Sequence, residues 1–232
     1  MKLTWLGHSA FRLETGSSVI LIDPFLSGND KFPGSVNHAA QGCTHVVLTH
    51  GHDDHTGDAL DICQQTGAKL IAVYELALYM NARGIENIDP ANPGGTLAQD
   101  GFDVSFVKAF HSSSTMIDGK PVYLGAACGV VIRAEGKSIY HMGDTEIFSD
   151  MALINEVFAP NIGLVPIGDR FTMGAKTAAM ACKRYFDFET IVPIHYGTFP
   201  ILDPDPSKFI AEMAGYNVVA PEIGGDAVRT GV

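Results

Sequence analysis

Apolar and polar positions alternate at the start of the chain, over residues 2–6, 10–15 and 18–22, with turn residues Gly7 and Gly16-Ser17 between the runs. Period-two alternation broken by such turns predicts a strand meander. A long polar loop containing Gly and Pro follows, "PFLSGNDKFPGSVNHAAQG" (24–42). The pattern then predicts a strand at "HVVLTH" (45–50), a helix over 58–66, a strand at "KLIAV" (69–73) and a helix over 74–82. Short strands and turns are expected over 86–101, and "DVSFVKAFH" (103–111) alternates into a further strand. After "SSSTMIDGKP" the organisation begins again, with a hairpin of 121–133 and 137–142 around Glu135-Gly136. A helix over 146–157, a strand over 162–168, a helix over 174–186 and a strand over 189–195 come next. A helix over 206–214 and a short strand at "NVVA" close the pattern. Strands interleaved with helices predict an α/β sandwich of mixed sheets rather than a pure barrel.

The two halves echo one another. "SVILIDP" and "KSIYHMGDT" are apolar strands that each deliver an Asp, while "HVVLTH" and "TIVPIH" each deliver a His. A duplication would bring four polar strand ends to one edge of two packed sheets; chance similarity between short strands is the rival reading. No linker composition interrupts the sequence, so residues 1–232 are read as a single domain.

Composition narrows the class. The chain has 232 residues, 46% hydrophobic and 18% charged, enough to build a core unaided. No apolar run approaches the roughly 18 residues of a membrane span, and the strand-like opening "MKLTWLGHSAF" gives no signal peptide. Four widely spaced cysteines without a C-x-x-C pair read as buried reduced thiols, which suits a cytoplasmic setting. The formal net charge is −11, and Lys and Arg nowhere cluster as a phosphate-tracking groove requires. A nucleic-acid partner and a membrane partner are therefore not expected; a small-molecule substrate is, and homo-oligomerisation is left open.

The chemistry concentrates in "VVLTHGHDDHTGD" (46–58). His50, His52, Asp54 and His55 form an H-x-H-x-D-H pattern directly after an apolar run, where grouped imidazoles and carboxylates are costly to bury. A rigid strand end can present His50 and His52 to one point, and the turn beyond it lets Asp54 and His55 face a neighbouring point. Divalent zinc, manganese or iron offsets the cost of such a cluster; solvated loop histidines are the bland alternative. Two cations need roughly eight ligand contacts. His111, Asp144 and His195, each at or just past the end of an apolar strand, are the candidates to supply the rest. Any one of them alone could equally be structural.

The H-x-H-x-D-H motif, a distant His, an Asp in "GDT" and a last His together resemble the metallo-β-lactamase superfamily. "TWLGHSAF", "IDPFLSGN", "HSSS", "YHMGDT" and "HYGTFP" narrow the resemblance to metal-dependent hydrolases of the UPF0173 type, close to the ascorbate-6-phosphate lactonase branch. The resemblance implies a four-layer αββα sandwich and two divalent ions, zinc first, with manganese or iron as alternatives. One would be held by His50, His52 and His111, the other by Asp54, His55 and His195, with Asp144 bridging. It implies a hydrolase in which a metal-bridged hydroxide attacks a small ester, lactone, phosphoester or amide, with Asp54 orienting the water and passing its proton on. No G-x-S-x-G elbow competes with that chemistry.

Around this set the alternatives stay open. His8 is a candidate catalytic residue contacting substrate, or a buried turn histidine. Asp23 supports the histidine loop or merely closes a strand before Pro24, and His141 is expected to pack below the metals. His38 and His45 read as ordinary loop and strand-edge residues. Arg170 meets an anionic substrate or pairs with a surface acid, and the 24–42 loop is a candidate lid. Nuclease and di-iron redox enzymes of the superfamily are poorer matches, since the first carry an inserted domain and the second an acidic residue where His52 stands. A metal-dependent sensor or binding module without turnover is the alternative from a different class.

Overall fold

A computed structural model describes residues 1–228. The N-terminal meander forms as the alternation predicts: β1 (Lys2–Gly7), β2 (Ala10–Thr15) and β3 (Ser18–Ile22) pair antiparallel in order. A one-turn helix, α1 (Val36–Ala39), interrupts the long loop, its Ser35 hydroxyl accepting from His38 N. β4 (His45–Val47), α2 (Asp53–Thr56), α3 (Ala59–Thr66), β5 (Lys69–Val73), α4 (Tyr74–Asn81) and β6 (Ile88–Ala91) follow. β4, β5 and β6 join β3 in parallel, completing a mixed sheet in the order β1-β2-β3-β4-β5-β6.

The second half repeats this plan. β7 (Thr96–Gln99) and β8 (Phe102–Lys108) lead to a separate hairpin, β9 (Ser114–Ile117) and β10 (Lys120–Tyr123). β11 (Cys128–Ala134), β12 (Lys137–His141), α5 (Met151–Phe158), β13 (Ile162–Pro166), α6 (Ala175–Tyr185), β14 (Thr190–Ile194) and α7 (Ser207–Glu212) complete the described elements. The second sheet runs β14-β13-β12-β11-β8-β7, antiparallel from β7 to β12 and parallel from β12 to β14. β8 and β12 both oppose β11, so β8, β12, β13 and β14 share one direction and end at one edge.

Side-chain alternation builds the layers. Phe102, Val104 and Phe106 of β8, Val130 and Ile132 of β11 and Val192 and Ile194 of β14 pack toward Leu3, Phe11, Leu13 and Ile22 of the first sheet. Their neighbours Val131, Tyr140, Val165 and Ile191 face Met151, Ala178, Ala181 and Phe209 of the outer helices α5, α6 and α7. Ile62, Leu76 and Ala77 place α3 and α4 over the first sheet. The result is the four-layer αββα sandwich, with both sheets sharing one core. Residues 223–227 run along the open edge of β1, with Gly224 N and Ala227 N donating to Trp5 O and Leu3 O, which shields an edge that would otherwise pair with another chain.

Several boundaries differ from the sequence-based expectation. β4 stops at Val47 rather than residue 50, because Thr49 N donates to the Asp23 carboxylate and leaves the ladder. β8 ends at Lys108 rather than residue 111, and "SSSTMIDGKP", given no element by the pattern, forms most of the β9–β10 hairpin. Its turn is Asp118-Gly119, with φ of 50° and 74°, the positive pair that a tight hairpin favours. That hairpin takes residues 121–123 from the strand expected over 121–133. The helix expected from residue 146 begins at Met151, residues 146–150 being an irregular connection. "NVVA" makes only an isolated bridge, Val218 to Ile191. All four cysteines are buried and unpaired. Among the described residues no helix is long and apolar enough to cross a membrane.

Phe106 is fully buried between the sheets. Phe106→Ala should lower the free energy of urea unfolding by about 3–5 kcal/mol; a loss below about 1 kcal/mol would contradict its place in the shared core.

Candidate metal centre

Asp23, the first residue after β3, organises the loop that follows β4. Its buried carboxylate accepts from Thr49 N at 2.8 Å and from the Thr49 hydroxyl at 2.6 Å, and it meets His55 Nδ1 at 2.8 Å. It thus supports the histidine loop and is more than a strand-ending residue. Asp58, three residues past the motif, accepts from Leu26 N and Ser27 N at 2.9 Å, tying the start of the 24–42 loop to the same segment.

The strand ends bring the other candidates to this edge. His50 Nε2 lies 3.0 Å from His52 Nδ1, and these two with His111 offer ligand atoms that all lie within 4.8 Å of one another. Asp54, His55, His195 and His8 form a second such group, and His50, His55 and Asp144 a third that joins the two. Asp144 sits between them: its carboxylate oxygens are 3.2 Å from His55 Nε2, 3.0 Å from His195 Nε2 and 3.5 Å from His111 Nε2. Despite these distances, His55 Nε2, Asp144 Oδ1 and both ring nitrogens of His195 are buried without an aligned hydrogen bond. Buried polar atoms are rarely left so. Close nitrogen and oxygen donors that converge without pairing fit divalent cations, and imidazole with carboxylate is the donor chemistry of zinc, manganese or iron sites.

A family model described as a beta-lactamase superfamily domain matches residues 18–196. A UPF0173 metal-dependent hydrolase of Methylocella silvestris is 59% identical over 98% of this chain and 100% of its own. A second, from Mesorhizobium japonicum, is 54% identical over 97% and 98% respectively. Among solved structures, Igni18, a metallo hydrolase of Ignicoccus hospitalis, superposes with a TM-score of 0.86 at 36% identity, covering 97% of this chain and 96% of its own. The chain belongs to the UPF0173 metal-dependent hydrolases of the beta-lactamase superfamily.

Burial and charge set the protonation of this UPF0173 site. Burial pushes His50 well below the ordinary histidine value, and His52 and His111 are lowered for the same leading reason. His8 falls to about 4, through burial and the neighbouring His195, against the opposing pull of Asp54. His55 is the exception: burial lowers it, but Asp144 and Asp23 together outweigh that and raise it well above. Asp144 is raised by burial yet held well below the usual carboxylate range by His195 and His55. For Asp54 the hydrogen bond from His8 and the charge of His55 likewise outweigh burial and lower it.

The surrounding residues divide clearly. His8 is buried, with Nε2 3.2 Å from Asp54 Oδ2 and Nδ1 3.0 Å from Thr198 Oγ1. His141 lies beneath, bonded through Nε2 to Ser9 O and accepting from Gly143 N. His38 is exposed, and His45 sits at a strand edge over Phe102. Arg170 is exposed and makes no hydrogen bond or ion pair with the cluster among the described residues. From the 24–42 loop, Phe25 packs its ring on His8 and Phe199. Thr49, Ser112, Thr198 and Phe199 escaped sequence reasoning; their one signal is a place in segments already rich in candidates.

With His8, His50, His52, His111 and His141 lowered, the folded chain binds fewer protons than the unfolded chain below the ordinary value of 6.5. Stability from these groups is therefore lost as pH falls below that value. His55 acts in the opposite sense but is one group against several. The melting temperature of chelator-stripped protein should fall between pH ~7 and ~4.5; a flat or rising profile would contradict these environments.

Proposed function

We propose that this UPF0173 protein is a dinuclear metallohydrolase that cleaves a small ester, lactone, phosphoester or amide. The observation that carries the reading is the Asp144 carboxylate, set between His111 on one side and His55 and His195 on the other. A single carboxylate placed between two ligand groups suits a bridge between two cations. In this reading His50, His52 and His111 hold one ion, zinc in the first instance, Asp54, His55 and His195 hold the other, and Asp144 serves both. The cations would supply an acidified water and the positive charge that stabilises a developing oxyanion.

The chain's own residues do the rest. Asp54 keeps a carboxylate form across the physiological range because His8 and His55 lower it, so it can orient a water and accept its proton. Its side chain remains partly accessible, whereas His8, His55 and Asp144 are buried. His8 acts with Asp54, to which its Nε2 is closest. Phe25 and Phe199, tilted rings 6.0 Å apart, give that side of the site an apolar wall. The net charge of −11 favours a small substrate over a polyanion.

Dialysis against a chelator should abolish turnover on a panel of aryl esters, lactones and phosphodiesters, and zinc or manganese should restore it. Asp54→Asn should lower kcat by ~10²-fold or more. A fully metal-loaded protein that is inert on the whole panel would overturn the hydrolase reading and favour a binding module.

A further inference from the structure

Three of the histidines that face this cluster, His50, His52 and His55, tie one ring nitrogen to an outer partner. Thr49 Oγ1 holds His50 Nδ1 at 3.0 Å, Ser112 Oγ holds His52 Nε2 at 3.2 Å, and Asp23 Oδ2 holds His55 Nδ1 at 2.8 Å. An outer partner of this kind fixes the tautomer and orientation of a metal-ligating imidazole. His8 has the same arrangement, with Nδ1 on Thr198 Oγ1 and Nε2 turned to Asp54. His141, also fully buried, does not: both its nitrogens are taken by backbone groups.

The Thr198 hydroxyl donates to Tyr196 O at 3.4 Å, which leaves its oxygen free to accept from His8 Nδ1–H. A neutral ring in that tautomer presents a lone pair at Nε2, 3.2 Å from a carboxylate oxygen of Asp54. Without a cation the other tautomer serves, its Nε2–H donating to Asp54; a cation bound beside both atoms would select the Nδ1–H form held by Thr198. Ligand atoms of His8, Asp54, His55 and His195 all lie within 4.8 Å of one another.

The backbone is bent to deliver this ring. His8 takes a left-handed φ of 51°, a strained conformation that persists only where surrounding structure enforces it. Gly7 before it has φ 99°, and a Cβ there would lie 2.8 Å from Asn29 Nδ2. Trp5 Nε1 and His195 N both donate to His8 O, at 3.0 and 3.1 Å. Phe25 and Phe199 stand edge-on to the ring.

We propose that His8 Nε2 is a protein ligand of the second cation, beside Asp54, His55 and His195, and that Thr198 fixes the tautomer that makes it one. This rests on the dinuclear reading of the site. It gives the second cation a richer shell than the first, which has three imidazoles and the shared Asp144. His8 then acts by holding metal, and Asp54 is oriented through the same ion.

The test is equilibrium zinc binding at buffered free metal, read by metal analysis, with the cobalt-substituted visible spectrum as a second readout and circular dichroism as the control for folding. Wild-type protein should bind two equivalents. His8→Ala and His8→Gln should keep the first site at its wild-type Kd and weaken the second beyond the ~10–100-fold that loss of an outer partner costs. Thr198→Val should weaken the second alone, by ~10-fold. Gln can supply the N–H that a merely hydrogen-bonding His8 would give Asp54, and it keeps the polar bulk that Ala removes. Two wild-type equivalents with an unchanged second Kd in His8→Gln would overturn the role of His8 and leave the dinuclear reading standing. A wild type that binds fewer than two would overturn both.

Discussion

The Asp23 carboxylate is the constraint on which the rest of the site depends. It sits at the end of β3, fully buried, and is satisfied by Thr49 N, the Thr49 hydroxyl and His55 Nδ1. A buried charge is tolerated only when its lone pairs are met in this way. The same contacts draw the chain out of the β4 ladder after Val47, orient His50 through Thr49, and fix which nitrogen of His55 faces Asp144. One strand-end acid therefore couples the first sheet to both groups of candidate ligands.

Strain concentrates at the same edge. His8, Asp23 and His195 all hold left-handed backbone, with φ of 51°, 43° and 59°. None is glycine, and each carries a side chain that the cluster uses. Such conformations persist where surrounding bonds enforce them. Here His195 N donates to His8 O, so two of the strained residues brace each other across the sheets. The site is prearranged by the scaffold; Phe25 and Phe199 wall one side, and the β9–β10 hairpin is pinned beside it through Thr115 to Asp53.

Much of this was legible in the sequence, and the reasons are local. Period-two alternation located the strands of both sheets, and apolar strands ending in His50, Asp144 and His195 marked the edge. H-x-H-x-D-H was conspicuous because crowding those groups beside a strand is costly without a cation. The family resemblance then supplied the pairing of distant ligands, which spacing alone left open. What escaped was set by tertiary contact. The β4 boundary depends on Asp23, 26 residues away in sequence from Thr49. The β9–β10 hairpin was hidden because Ser114 and Thr115 before its Asp-Gly turn and Lys120 and Pro121 after it break the apolar alternation. Thr198 stands in "HYGTFP", but nothing in that string names its partner, and only the fold brings it to His8, 190 residues distant.

On the proposed reading, the Asp144 carboxylate stands between two cations. Anomalous diffraction from crystals of the zinc-loaded protein, collected on either side of the zinc absorption edge, tests it most directly. Two peaks ~3.5–4 Å apart are expected, one against His50, His52 and His111, the other against Asp54, His55 and His195, with the Asp144 carboxylate reaching both. A single peak at full zinc loading, or two peaks that Asp144 does not join, would contradict it.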